Sequence, residues 1–243
     1  MIGYVVHAPA IAVDDGAGHF TRDWALIDLY RDKMDWDAFQ GNKVYVGTSP
    51  YYLGNTVPGF SDVFFLYPGG KISPADFILK MHPHPQGRFD FKYPLGGLLK
   101  VEGFVKNDQI CKPQQLDVNG EKCLIVVKNG KTTGTTLGRV TGMESFIRTY
   151  PEYDGIEKTS IEIAVYPYSN KDGAFSAPGD SGSMVVDSKG RIVGLLVGGA
   201  GAIEETDVTY HTPYWWIEEQ MKIVYPKIFL YEVVDQVRRL DHF

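Results

Sequence analysis

A serine directly behind Gly-Asp, at the mouth of a tight hairpin, is the residue of this chain best equipped for covalent chemistry. Ser181 lies in Phe175-Ser176-Ala177-Pro178-Gly179-Asp180-Ser181-Gly182-Ser183, followed by an apolar strand over 184–187, the turn Ser188-Lys189-Gly190 and a second apolar strand over 192–197. A Gly-Asp-Ser turn can aim the backbone N–H groups of Gly179 and Ser181 at one point, giving a developing oxyanion two preorganised donors while the hydroxyl attacks. The same tetrapeptide, Gly-Asp-Ser-Gly, also occurs in ordinary surface turns, where the serine bonds only its own backbone. Two other stretches supply context. Asn129-Gly130-Lys131-Thr132-Thr133-Gly134-Thr135-Thr136-Leu137-Gly138 reads as a glycine- and threonine-spaced hairpin, and Asp23 heads the apolar run Trp24-Ala25-Leu26-Ile27. An acid at the head of a buried strand is where a carboxylate could orient a histidine; the plainer alternative is a solvated strand end.

Positioning such groups calls for a rigid frame, and the chain predicts one built from strands. Short β-rich segments at 2–6, 24–30, 43–46, 98–105, 122–128, 136–142, 161–166, 184–186 and 192–197 are separated by Asp-Gly, Asn-Gly and Pro-Gly signals. That spacing predicts an all-β barrel or sandwich architecture. Helix is expected mainly at the end, over 214–224, with Thr212 as cap, Pro213 at the first position, Lys222 late and Pro226 as stop. A second amphipathic stretch, 231–240, could close the chain. Residues 48–69 differ in character: they are rich in Tyr, Phe, Gly and Pro with Asp62 as their one charge, an unusual insert for a compact domain.

With 243 residues, 44% hydrophobic and 22% charged, the chain can bury a sizeable core in one large or two small domains. The net charge of −6 and the lack of a Lys/Arg cluster argue against nucleic acid as a partner. Its longest apolar runs are short and glycine-rich, and residues 1–13 lack a positive leader, so no membrane partner and a cytoplasmic location are expected. Cys111 and Cys123 have neither metal nor redox spacing and predict two reduced core thiols; no cofactor or metal is implied.

Taken in order, these blocks resemble the chymotrypsin-like serine peptidases, and more closely their fungal members. The resemblance runs through Ile2-Gly3-Tyr4-Val5-Val6, residues 21–27, Phe91-Lys92-Tyr93-Pro94, residues 123–138 and 173–201, and Thr209-Tyr210-His211-Thr212-Pro213-Tyr214-Trp215-Trp216. It implies a double β-barrel with an incomplete first barrel and a C-terminal helix, divided as 1–110 and 111–243. It implies Ser181 as nucleophile, Asp23 as triad acid, Gly179 with Ser181 as oxyanion hole, and a peptide or protein as substrate. Phe175 and Ser176 would form the floor of the substrate pocket and the segment Gly198-Gly199-Ala200-Gly201 one wall. With no acid there, a small or apolar substrate side chain is expected, since a buried Lys or Arg would lack a partner; alternatively Phe175 fills the pocket.

The general base is the departure. The family carries its histidine well upstream of the aspartate, and 22 residues precede Asp23 here, so the sequence reads as the C-terminal part of a longer protein. His19 lies four residues before Asp23, about 13 Å away along an extended strand. A hairpin turning at Asp14-Asp15-Gly16 would carry His7 to the Asp23–Trp24 region, making it the better-placed substitute, although a strand histidine is more often structural. His82 and His84 sit between prolines with no third ligand and read as a loop. His211 is expected at a surface beside the helix cap. Losing the base of a triad costs on the order of 10⁶ in turnover, about 8 kcal/mol of barrier. The chain is thus expected to be a nearly inert peptidase or, alternatively, a non-catalytic peptide-binding pseudopeptidase.

Overall fold

The computed structural model describes residues 1–13, 18–39, 41–47, 72–149, 158–201 and 208–230. The insert expected at 48–69, the turn expected at 14–16 and the stretch 231–240 lie outside them.

Six antiparallel strands close into a barrel: β8 (Lys122–Gly130), β9 (Gly134–Val140), β11 (Lys158–Pro167), β14 (Val208–Pro213), β13 (Ile192–Ala200) and β12 (Met184–Asp187), with β12 returning to β8. β7 (Gln115–Leu116) adds to the edge of β8, and β10 (Glu144–Thr149) extends from β11. β8 reads as a continuous apolar run because both of its faces are covered. Leu124 and Val126 join one buried cluster with Val140, Ile163, Val165, Phe175, Val185 and Val193. Cys123, Ile125 and Val127 join the other. The β8–β9 link is a three-residue loop, 131–133, and Gly134, which opens β9 directly after it, takes a φ of +67°, as short hairpins of this kind require.

Among the described residues the N-terminal region forms no closed barrel. Its strands pair two by two: β1 (Gly3–His7) with β4 (Leu26–Leu29), β2 (Ala12–Val13) with β3 (Thr21–Arg22), and β5 (Lys43–Tyr45) with β6 (Leu98–Lys100). Val46, Leu99 and Val101 pack on the outer side of the barrel against Ile125, Val127, Val186 and Ile192. The all-β class, a closed second barrel, an incomplete first one and a C-terminal helix are thus as the sequence predicted.

Three short helices were not anticipated: α1 (Pro74–Met81), α2 (Pro85–Phe89) and α3 (Asn107–Cys111). α1 starts on Ser73, whose hydroxyl accepts from the Asp76 amide at 3.1 Å, and it buries Phe77 and Met81 against the barrel. The strand expected at 98–105 stops at Lys100.

α4 (Tyr214–Val224) has the predicted extent, burying Trp216, Ile217 and Met221. Its cap differs. Pro213 holds the N-cap position without a side-chain bond, while the Thr212 hydroxyl is committed to Glu162 at 3.0 Å. Cys123 is buried as expected, but Cys111 is partly exposed. No helix among the described residues is long and apolar enough to cross a membrane.

Candidate active site

The segment before β12 is fastened, to the barrel or across its own turns, at every residue from 175 to 183 except two. The Thr136 hydroxyl donates to the Phe175 carbonyl (2.6 Å) and the Thr132 hydroxyl to the Pro178 carbonyl (2.8 Å). Asp180 N donates to Ala177 O (3.0 Å), Ser183 N to Asp180 O (3.0 Å), and Gly182 N to Leu196 O (2.7 Å). Between these anchors Ser181 is exposed, and neither its amide nor that of Gly179 has an acceptor among the described residues. Gly179 reaches this path through a φ of +99°, and a Cβ there would lie 2.6 Å from the Thr132 hydroxyl.

Asp180, whose partner could not be read from sequence, is the hub of this fastening. Its side chain is fully buried and pairs with the equally buried Lys128 at 3.0 Å. One carboxylate oxygen accepts from the amides of Thr132 (2.7 Å) and Thr133 (3.3 Å). The other accepts from the Thr133 hydroxyl (2.6 Å), Lys128 Nζ (3.0 Å) and the Ala177 amide (3.2 Å). Burial alone would raise this carboxyl's pKa; the Thr133 hydroxyl, the Thr132 amide and Lys128 outweigh it and hold the value at about 2. Lys128 also donates to the Thr133 hydroxyl and the Gly134 carbonyl (3.1 Å), and it sits 5.7 Å from the centre of the Phe175 ring. A buried charge this well surrounded fixes the loop's geometry rather than adding to stability. Sequence reading missed Lys128, Thr132 and Thr133. The available signal was a lysine ending the apolar run Leu124-Ile125-Val126-Val127, where a charge needs a buried partner.

Asp23 is exposed, and its neighbours are docked on the barrel. Ile161 N donates to His19 O (2.9 Å) and Thr21 N to Glu162 Oε1 (2.9 Å), while the Thr212 hydroxyl shares its one proton between Glu162 Oε2 (3.0 Å) and Thr21 O (3.3 Å). Thr212 is paired in register with Leu195, and the next residue, Leu196, receives the Gly182 amide beside Ser181. The Asp23 segment and the nucleophile loop thus attach to adjoining positions of β13 and β14.

No histidine bonds to the Ser181 hydroxyl among the described residues. His7, aligned with Leu26 in the β1–β4 ladder, packs against Trp24 (5.3 Å between ring centres) and Tyr225 (6.0 Å). His82 lies over Phe91 at 4.5 Å, and His84 Nε2 is 3.0 Å from Asp117 O. No group of three metal-ligating residues occurs among the described ones. His211, expected at a surface, is fully buried, because β14 extends through the position where a helix cap was predicted. Burial pushes its pKa down to about 3, so the ring is neutral.

Phe175 is fully buried in the barrel cluster. Ser176 is 9% exposed and shares a 2.7 Å hydrogen bond with the hydroxyl of Thr209, a residue the sequence reading passed over. Gly199 and Ala200 are exposed and Gly198 is half-buried. β12 pairs with β13 only as far as Leu195, whereas β14 pairs with it through Ala200. Beyond Leu196, therefore, the edge of β13 beside the nucleophile loop carries no ladder among the described residues.

No family model matches the chain, and neither does any curated protein. Among solved structures it is similar to chymotrypsin from Cellulomonas bogoriensis, at 21% identity over 58% of this chain and 61% of that one, with a TM-score of 0.36. It is similar to Nocardiopsis protease at 18% identity, over 53% and 54% of the two chains, with a TM-score of 0.35. It is similar to Thermobifida fusca protease A at 20% identity, over 53% and 55%, with a TM-score of 0.34. These neighbours are chymotrypsin-like serine proteases of bacteria, and each match spans less than two thirds of the neighbour's length.

Proposed function

We propose that this chain is a serine-peptidase-like protein whose nucleophile loop is preorganised for acyl transfer and whose own hydrolysis is very slow. The observation that carries the reading is the anchored Asp180: by tying residues 175–183 to the β8–β9 hairpin, it leaves Ser181 exposed with the Gly179 and Ser181 amides unsatisfied. Two unpaired donors flanking an exposed hydroxyl suit a tetrahedral oxyanion. Asp23 serves as triad acid in this reading. The uncovered edge of β13 would take an extended peptide, with Ser176, Gly198, Gly199 and Ala200 around the substrate side chain. What the described residues do not supply is an imidazole bonded to Ser181, and without a base turnover falls by about 10⁶.

A second reading, peptide capture without cleavage, is favoured by that same β13 edge, because its hydrogen-bonding capacity does not depend on a base. One experiment separates them. The purified chain and S181A are treated with a fluorophosphonate probe, and both are titrated with a fluorescent peptide aldehyde and its corresponding alcohol. Slow labelling confined to Ser181, with the aldehyde bound more tightly than the alcohol by the wild type alone, supports the preorganised loop. Equal binding of both ligands by both proteins, without labelling, supports capture alone. No labelling and no peptide binding would sink both.

A further inference from the structure

We propose that Glu162 is a positioning residue for Asp23: a buried carboxyl that, with Thr212, clasps the backbone of Thr21 and so sets where Asp23 leaves the barrel. The proposal rests on the reading of Asp23 as the triad acid. Glu162 lies on β11 with 0% exposure, yet no ion pair of the described residues neutralises it. Its Oε1 accepts from Thr21 N at 2.9 Å, its Oε2 from the Thr212 hydroxyl at 3.0 Å, and the hydroxyls of Thr21 and Ser160 also reach it. The Thr212 hydroxyl proton is shared with Thr21 O at 3.3 Å, so both polar backbone groups of one residue in the N-terminal segment face the barrel's Glu162–Thr212 pair.

Apolar packing alone would not fix this register. Phe20 is 2% exposed and meets Trp215 and Trp216 edge-on at 5.9 and 5.7 Å, a contact that tolerates sliding by a fraction of a residue. A buried carboxyl without a cation is costly, and an apolar side chain would pack the barrel more cheaply. Its value lies in specificity: Thr21 N and Thr21 O are met together in one register only, and Asp23 follows two residues later. Ile161 N bonding to His19 O completes the docking on the other side of Phe20.

The test compares wild type, E162A, E162Q and T212V in the full chain, reading amide exchange of residues 19–24 by mass spectrometry with the β8 amides as folding control. Without the carboxyl, exchange at 19–24 is expected to accelerate about tenfold or more while β8 is unchanged. E162Q, which keeps an acceptor for Thr21 N, is expected to recover most of that protection, and T212V to lose about threefold. Exchange in E162A within twofold of wild type, or E162Q as fast as E162A, overturns the proposal. If E162A does not fold, the T212V and E162Q results decide it: T212V must accelerate and E162Q must not. Ser181 labelling with added imidazole then separates the clasp from the catalytic reading, with D23N as reference. Faster exchange with imidazole-assisted labelling unchanged in both E162A and D23N would leave the clasp standing and remove Asp23 from catalysis.

Discussion

Lys128 and Asp180 illustrate how one residue pair sets the chemistry available at a third. Their charges are buried together, so removing one strands the other. We predict that K128M destabilises the fold by about 3–5 kcal/mol in urea denaturation and abolishes fluorophosphonate labelling of Ser181, because Asp180 would then swing toward water and carry the loop with it. K128R should retain part of both. The sequence made Ser181 and Asp180 visible through their Gly-Asp-Ser-Gly setting. It hid Lys128, which stands 52 positions away in chain order and meets Asp180 only once β8 and the loop are in place.

At the scale of elements, the β8–β9 hairpin and the nucleophile loop form one unit, and its tolerances are narrow. A Cβ on Gly130 would lie 2.3 Å from Asp180 Oδ1 and 2.9 Å from Lys128 Nζ. We expect G130A to cost about 1–3 kcal/mol and to disorder residues 177–183, seen as faster amide exchange there than elsewhere in the barrel. The glycine is needed for space at this position. The two-stranded N-terminal ladders behave differently, since an isolated pair of strands is marginal in water. The exposed apolar side chains of β1 and β4, with Val5 at 58% and Ile27 at 57%, leave that ladder poorly buried. Its amides should exchange at least about a hundredfold faster than those of β8, β9 and β13; equal protection would contradict this view of the first unit. Strand positions in the barrel were legible from apolar runs and turn residues. β10, β14 and the three short helices were not, because Glu144, Arg148 and Thr209 break the apolar signal and the helices span only one or two turns.

For the molecule as a whole, His211 sets a limit at acid pH. Its folded pKa of about 3 lies below the ordinary 6.5, so the neutral ring contributes stability that is full above pH 6.5 and is lost as pH falls toward 3. Between pH 7 and 4.5 this site alone should cost about 2–3 kcal/mol, and H211L should remove that part of the pH dependence in urea midpoints measured at both values. An unchanged difference in H211L would place the acid sensitivity elsewhere. The amino-acid sequence by itself determined the all-β class, the terminal helix and the chemical identity of a serine turn, because these depend on local periodicity and on residue types at short spacing. Tertiary structure alone decided that Asp180 is neutralised from β8, that Glu162 and Thr212 hold the Asp23 segment, and that His211 is enclosed. Each of those contacts joins positions dozens of residues apart, and burial, which gives them their strength, exists only after the barrel has closed.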